Sequence, residues 1–534
     1  MDDRRRRGRP PGLLVDPTPA EGLDFTVDVR IGWLLRSWRL YGAPDTGARA
    51  FSAALVEAGV SADPSRLSRW ETGRLAAPLD VVAAYETALG LTRSGLVAFC
   101  ISARKLARPD ASAIAAVETH RVSADRFEQV LEEVVDGEPT GADWLDFGSY
   151  VATHTDHVIL PTSLWRTVAT RLLRELGLSV GPAYATRSEA ALLLARHARA
   201  RPALTHSIGQ YVTTPDSLLV ADPIALLQSM DTPQAGDLTL LLLEQPPGQI
   251  RYGAAWVAAA KVRRKQFDET QMHRLEAIVV RMVREDGLAD GGLFNRVADL
   301  VAVLPDDTQD RIRQATHTAA RVDPLMAAAS DVATKTWPRS LVVKVCSGVA
   351  RPSGEPDDPL LERLVEEALF HRIAERRFHA SLSLALSPYG PRIAAGCARL
   401  VARALDGEPV DPQLVEKTLV LLTFIGTEAE RDLLCRVAEG DADTLRTAAY
   451  VCVAHLPPAP GEHRRPAVAP VLRVASPANE AVVRAALYCA GMTADPVLHQ
   501  VRDDAAMPEW VRRAASWWLR EGPACHEPIR RGTA

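Results

Sequence analysis

Apolar residues recur along most of this chain at intervals of three and four, the period of helices buried on one face. Such text runs in short blocks from residue 29 to about 106. It resumes to about residue 347, as in 164–176 and 252–264, with Gly and Pro between the blocks. Two short apolar runs, 217–220 and 238–243, fit a short strand or a buried helix equally well. The expected fold class is therefore all-α.

Beyond residue 360 the blocks become repetitive. Leu445-Arg446-Thr447-Ala448-Ala449, Val483-Arg484-Ala485-Ala486 and Val511-Arg512-Arg513-Ala514-Ala515 share one core. Small Ala lets paired helices approach while Leu and Val fill the seam. A unit of that kind buries its face only by stacking on neighbours. The stretch 360–534 thus resembles a degenerate HEAT-like α-solenoid. Ahead of it, 350–359 (Ala-Arg-Pro-Ser-Gly-Glu-Pro-Asp-Asp-Pro) has linker composition. At the other end, 1–28 holds five Arg with Pro10, Pro11, Pro17 and Pro19 and no apolar period before Phe25. It reads as a flexible basic arm. The stretch 107–349 is a helical middle domain without a recognisable pattern.

The remaining global numbers narrow the class. A length of 534 residues exceeds what one hydrophobic core supports. With 47% hydrophobic and 24% charged residues, the bulk is ordinary globular protein. Seven scattered cysteines without a Cys-x-x-Cys pair fit reduced thiols better than a disulfide framework. Met1-Asp-Asp-Arg-Arg-Arg-Arg lacks the apolar stretch of a secretory leader, and no apolar run approaches the roughly 20 residues of a membrane span. A cytoplasmic, nucleoid-associated location and no membrane partner are expected. The net charge of −5 does not by itself suggest nucleic acid, so charge distribution decides.

The informative segment is 51–73. Phe51, Leu55 and Val56 mark one face of a helix that ends at Gly59, a natural residue for a left-handed C′ position. A second helix opens at Asp63-Pro64, an N-cap followed by proline at the first helical position. Leu67 and Trp70 face inward at i, i+3. That leaves Ser65, Arg66 and Arg69 on the outer face near the N-terminus, and Gly73 closes the helix. A short helix braced from behind, with its first turn outward, is the element that enters a major groove. Arg there pairs with guanine O6 and N7, while Ser reaches phosphate or a base edge. Seven arginines (Arg30, Arg36, Arg39, Arg49, Arg66, Arg69, Arg74) face four acids (Asp45, Glu57, Asp63, Glu71) over 29–75, a basic island in an acidic chain.

Leu67-Ser68-Arg69-Trp70-Glu71-Thr72-Gly73, then Leu75-Ala-Ala-Pro78 and Tyr85-Glu-Thr-Ala-Leu89-Gly90-Leu91, resemble the XRE family of Cro and phage-repressor helix-turn-helix proteins. Val29-Arg30-Ile31-Gly32-Trp33-Leu34-Leu35-Arg36-Ser37-Trp38-Arg39 is similar to the family's first helix. The resemblance covers about 70 residues, with a turn after Gly59 about two residues longer than the family norm. It implies a five-helix DNA-binding bundle over 29–106. Ser65 and Arg69 would face bases, Thr72 and Arg74 would lie near the backbone, and Glu71 would be structural. Ser68 and Arg49 complete the candidate set on the bundle. In the arm, Arg7-Gly8-Arg9-Pro10 is similar to an AT-hook core, in which Arg7 and Arg9 would enter a narrow minor groove. A generic basic tail is the plainer alternative.

Other chemistry finds little footing. The sequence has no Gly-x-x-x-x-Gly-Lys-Ser/Thr, Gly-x-Ser-x-Gly or Gly-x-Gly-x-x-Gly motif. His154-Thr-Asp156-His157 lacks metal-site spacing. Cys452 and His455 read as core, and Trp517-Trp518 as a solenoid end seal or a partner surface. Arg263-Arg264-Lys265, Arg376-Arg377 and Arg464-Arg465 read as solvated faces, any of which could hold phosphate. No enzyme activity and no cofactor are expected. The sequence points to a transcriptional regulator binding double-stranded DNA as a homodimer, its helical remainder serving dimerisation and a protein or small-molecule effector. The alternative is a helical-repeat interaction scaffold whose N-terminal bundle has no operator.

Overall fold

The computed structural model describes residues 13–19, 24–44, 46–107, 121–214, 217–246, 248–284, 291–317, 322–331, 339–346, 358–458 and 464–527. Among these residues all regular structure is helical, apart from isolated bridge positions at Leu91 and between Ser179 and Cys525. The run 238–243 forms the second half of the helix Pro233–Leu243, while 217–220 is irregular. No helix among the described residues is long and apolar enough to cross a membrane.

Five helices come first: α1 (Val27–Gly42), α2 (Ala48–Glu57), α3 (Pro64–Glu71), α4 (Leu79–Ala88) and α5 (Gly95–Leu106). They do not form a core of their own. Ile31, Leu35, Leu55, Leu67 and Tyr85 belong to one continuous apolar cluster with Leu364, Ile393, Leu422, Val483 and Val511. A second cluster, from Val130 to Leu325, fills the middle of the chain. The N-terminal bundle is therefore seated on the C-terminal helices, far away in sequence.

Polar contacts fix that seat. Arg30 donates from Nη1 and Nη2 to Glu367 at 2.8 and 2.7 Å and from Nε to Asp16 at 2.8 Å. Arg376 donates to the same Glu367 at 2.7 Å, and both guanidinium groups lie 4.6 Å from the centre of the Phe25 ring. Trp33 and Trp38 donate their indole N–H groups to Asp358 Oδ2 and the Leu386 carbonyl. Arg376, expected on a solvated face, is only 1% exposed. Its position between Phe25 and Glu367 explains the difference: charge and ring leave no room for water.

The expected free arm over 1–28 is anchored in its described part. Arg363 donates to the carbonyls of Asp16, Thr18 and Pro19, and Asp16 itself is buried against Arg30. Asp358 and Pro359, assigned to the linker, instead begin the helix Pro359–Phe370. The Asp358 carboxylate accepts from the amides of Leu360 and Leu361, an N-cap, and Pro359 holds the first helical position.

The three Ala-rich motifs lie in the helices Asp443–His455, Glu480–Met492 and Glu509–Glu521, which pack on one another in sequence. Ala449, Ala486 and Ala515 are buried in the seams. Trp517 and Trp518 are also buried, with Trp518 lying over Gly491, so neither offers a partner surface.

Within the bundle, α1 and α3 approach closely. A Cβ on Gly32 would stand 2.5 Å from the Trp70 carbonyl oxygen and 2.9 Å from the Gly73 nitrogen. Both neighbours are backbone, so nothing flexible can yield. Gly32→Ala is expected to separate the two helices and cost about 1–3 kcal/mol. Chemical denaturation of the full chain measures this; an unchanged midpoint would show that α1 shifts freely.

Candidate nucleic-acid interface

α2 ends where Gly59 takes φ +94, and Val60 N–H returns to the Leu55 carbonyl at 3.0 Å. The chain then crosses 58–63 to Asp63. The Asp63 carboxylate accepts from the amides of Ser65 at 2.8 Å and Arg66 at 3.0 Å, and Pro64 follows as the first helical residue. The backbone bond from Arg66 is the main reason that this carboxyl sits below its ordinary range.

The eight residues of α3 divide sharply. Leu67, Trp70 and Glu71 are buried. Ser65, Arg66, Ser68 and Arg69 are exposed, as are Arg49 at the start of α2 and Arg74 after α3. Thr72 is half-buried and donates to the Ser68 carbonyl at 2.7 Å. Arg66 reaches only the Ser61 carbonyl, at 3.3 Å, and Arg69 forms no ion pair among the described residues. Six of the nine proposed contact residues thus lie on or directly after α3 and Arg49 lies at the start of α2; Arg7 and Arg9 lie outside the described residues.

Behind α3, Glu71 is the anchor. It accepts from Arg39 Nε at 2.5 Å and Nη2 at 2.7 Å, and from the Tyr85 hydroxyl at 2.9 Å. Burial, reinforced by the Glu71 charge, pushes the Tyr85 hydroxyl well above its usual range. α3 is therefore fixed to α1 by Arg39 and to α4 by Tyr85. Nearby, Glu86 accepts from the amides of Ser94, Leu96 and Val97 and closes the start of α5.

The basic island is smaller than residue counting suggests. Arg30 and Arg36 are buried, and Arg39 is committed to Glu71. The exposed arginines are Arg49, Arg66, Arg69 and Arg74. Val56, read as part of the inner face of α2, is 53% exposed, because Phe51 and Leu55 already occupy that face and the next residue turns about 100° away.

Elsewhere, His154 stacks on Tyr150 and bonds its carbonyl, and no cluster of metal-binding type occurs among the described residues. Cys452 is buried with its thiol on the Leu419 carbonyl, and His455 bonds the Tyr488 hydroxyl at 2.6 Å. Neither protein-family models nor curated proteins give a match to this chain.

Proposed function

We propose that this chain is a sequence-specific DNA-binding transcriptional regulator of XRE type, reading its operator with α3. The observation that carries this is the division of α3. Its inner side is locked by Leu67, Trp70 and Glu71, while Ser65, Arg66, Ser68 and Arg69 face outward with at most one weak intramolecular bond. A rigid short helix with uncommitted Arg and Ser side chains is suited to base-edge contact in a major groove. Arg49, Thr72 and Arg74 lie at the ends of the motif, where phosphates would pass. Arg7 and Arg9 add non-specific attraction from the arm. One such helix reads few base pairs, so a homodimer on two half-sites completes the reading. The stacked C-terminal helices serve as a HEAT-like platform that carries the reading head rather than trailing from it.

Selection of bound fragments from genomic DNA, followed by mobility-shift titration, tests this. Arg69→Ala is expected to weaken the selected operator by about tenfold or more, narrow the gap to random DNA, and leave the unfolding midpoint unchanged. No fragment selected over random DNA, or an Arg69→Ala protein with undiminished discrimination, would overturn the reading.

A further inference from the structure

Where α5 meets the rest of the chain there is a cavity of about 570 Å³. Three separate parts of the sequence wall it. Ser102 and Lys105 come from α5, Arg196 and Trp256 from the middle of the chain, and Glu375 and His379 from the helix Ala374–Ala385. Its size suits a small organic molecule.

The wall carries more positive than negative charge once internal pairs are removed. Lys105 is paired with Glu189, and Glu375 with Arg263 at 2.5 Å. Over the whole wall Lys105, Arg196, Arg201 and Arg264 face Glu189, Asp231 and Glu375. Glu189 also acts on Arg196 and Glu375 on Arg264, but neither carboxylate forms a direct ion pair with these two arginines. Arg264 donates to a neutral carbonyl, that of Gln228, at 2.9 Å, and Arg196 and Arg201 have no ion-pair partner among the described residues. Burial holds Arg196 and Arg264 below the usual guanidinium range, the mark of charges kept in a poorly solvated place. Three wall residues also hold a buried polar atom without a hydrogen-bond partner: Trp256 Nε1, a donor suited to an anion, and Gln228 Oε1 and Glu375 Oε2, acceptors that call for a donor elsewhere on the occupant. Trp256, Phe378, Leu192 and Met230 supply apolar surface beside the charges.

We propose that this cavity binds a small organic anion with an aromatic or apolar body, its charged group held by Arg196 and Arg264. The ligand would touch the last helix of the reading head directly. α5 is tied across the cavity wall by Lys105 to Glu189 and by Ser102 Oγ to His379 Nε2 at 2.8 Å. An occupant that draws on Lys105 or Ser102 shifts α5, and with it the placement of α3. This coupling rests on the DNA-binding reading; the binding site itself does not.

The test uses the full chain and the probe 1-anilinonaphthalene-8-sulfonate, an aromatic anion, against its uncharged counterpart N-phenyl-1-naphthylamine. One saturable sulfonate site per chain is expected, with the neutral compound weaker by about tenfold or more. Arg196→Ala should abolish that preference, Arg196→Lys should retain it, and Arg69→Ala should leave it untouched. No saturable sulfonate binding, equal binding of the neutral compound, or insensitivity to Arg196→Ala would each overturn the site. Sulfonate binding that leaves the operator titration unmoved would overturn the coupling alone. Failure to select any operator would overturn the regulator reading while the binding data still decide the cavity.

Discussion

Glu367→Ala is expected to lower the unfolding free energy of the full chain by about 3–5 kcal/mol, the scale for breaking a buried ion cluster on one side. Glu367 is 2% exposed and accepts from Arg30, Arg363 and Arg376. Removing it leaves Arg30 and Arg376, both buried and facing the same Phe25 ring, with Asp16, bonded to Arg30, as a near counter-charge among the described residues. Two guanidinium groups then share a dry site with too little negative charge, which costs far more than the lost hydrogen bonds. Glu367→Gln, which keeps one acceptor and the volume, should cost less. Denaturant titration measures both, and a loss below about 1 kcal/mol for Glu367→Ala would mean that water enters and screens the cluster.

The same cluster gives an acid signature. Burial opposes ionisation of Asp16, yet Arg30 and the Thr18 bonds outweigh it and hold the carboxyl at about 2, below the ordinary 3.8. Glu367 is likewise held low against its burial by Arg30 and Arg376. In the unfolded chain both carboxylates take up protons at higher pH than in the folded one. Their stabilisation is therefore complete only above about pH 5, where both carboxylates (ordinary values 3.8 and 4.5) are ionised in the unfolded chain too, and is lost as the pH falls toward about 2.

How much of this was written locally can be judged from Arg30 and Asp63. Asp63, Pro64 and Gly59 act on residues within a few positions, so the ends of α2 and α3 follow from their own text. Leu67 and Trp70 likewise fix the buried side of α3 by spacing alone. Arg30 sits in the same stretch, but its partner Glu367 is 337 positions away. No local pattern distinguishes it from Arg69, so counting arginines overstated the basic surface. The cavity was hidden for the same reason: α5, Arg196 and Glu375 meet only through packing between distant segments. Asp358-Pro359 differs from its expected linker role for another reason. In a Pro-rich stretch the pair looks like linker, yet it is the same cap-and-proline start that Asp63-Pro64 gives α3.

Glu71→Ala is expected to weaken operator binding without removing any group that faces DNA. Glu71 is 4% exposed and joins Arg39 and Tyr85 behind α3. Truncation removes the two bonds that Glu71 accepts from the largely covered Arg39 guanidinium and the one it accepts from the Tyr85 hydroxyl. A stability loss of about 2–4 kcal/mol follows from losing buried, charge-assisted bonds of this kind. The charge that held α3 to α1 and α4 is also gone, so Ser65, Arg66, Ser68 and Arg69 no longer keep one orientation. Binding in a groove depends on that orientation being set beforehand, because each freely moving side chain must otherwise be ordered on contact. Titrated at low temperature, where circular dichroism shows the helices intact, Glu71→Ala should lose operator affinity comparably to Arg69→Ala, and Glu71→Gln should recover part of it. Full operator affinity in a folded Glu71→Ala protein would mean that Trp70 and Leu67 alone aim the helix, and that the buried carboxylate serves stability only.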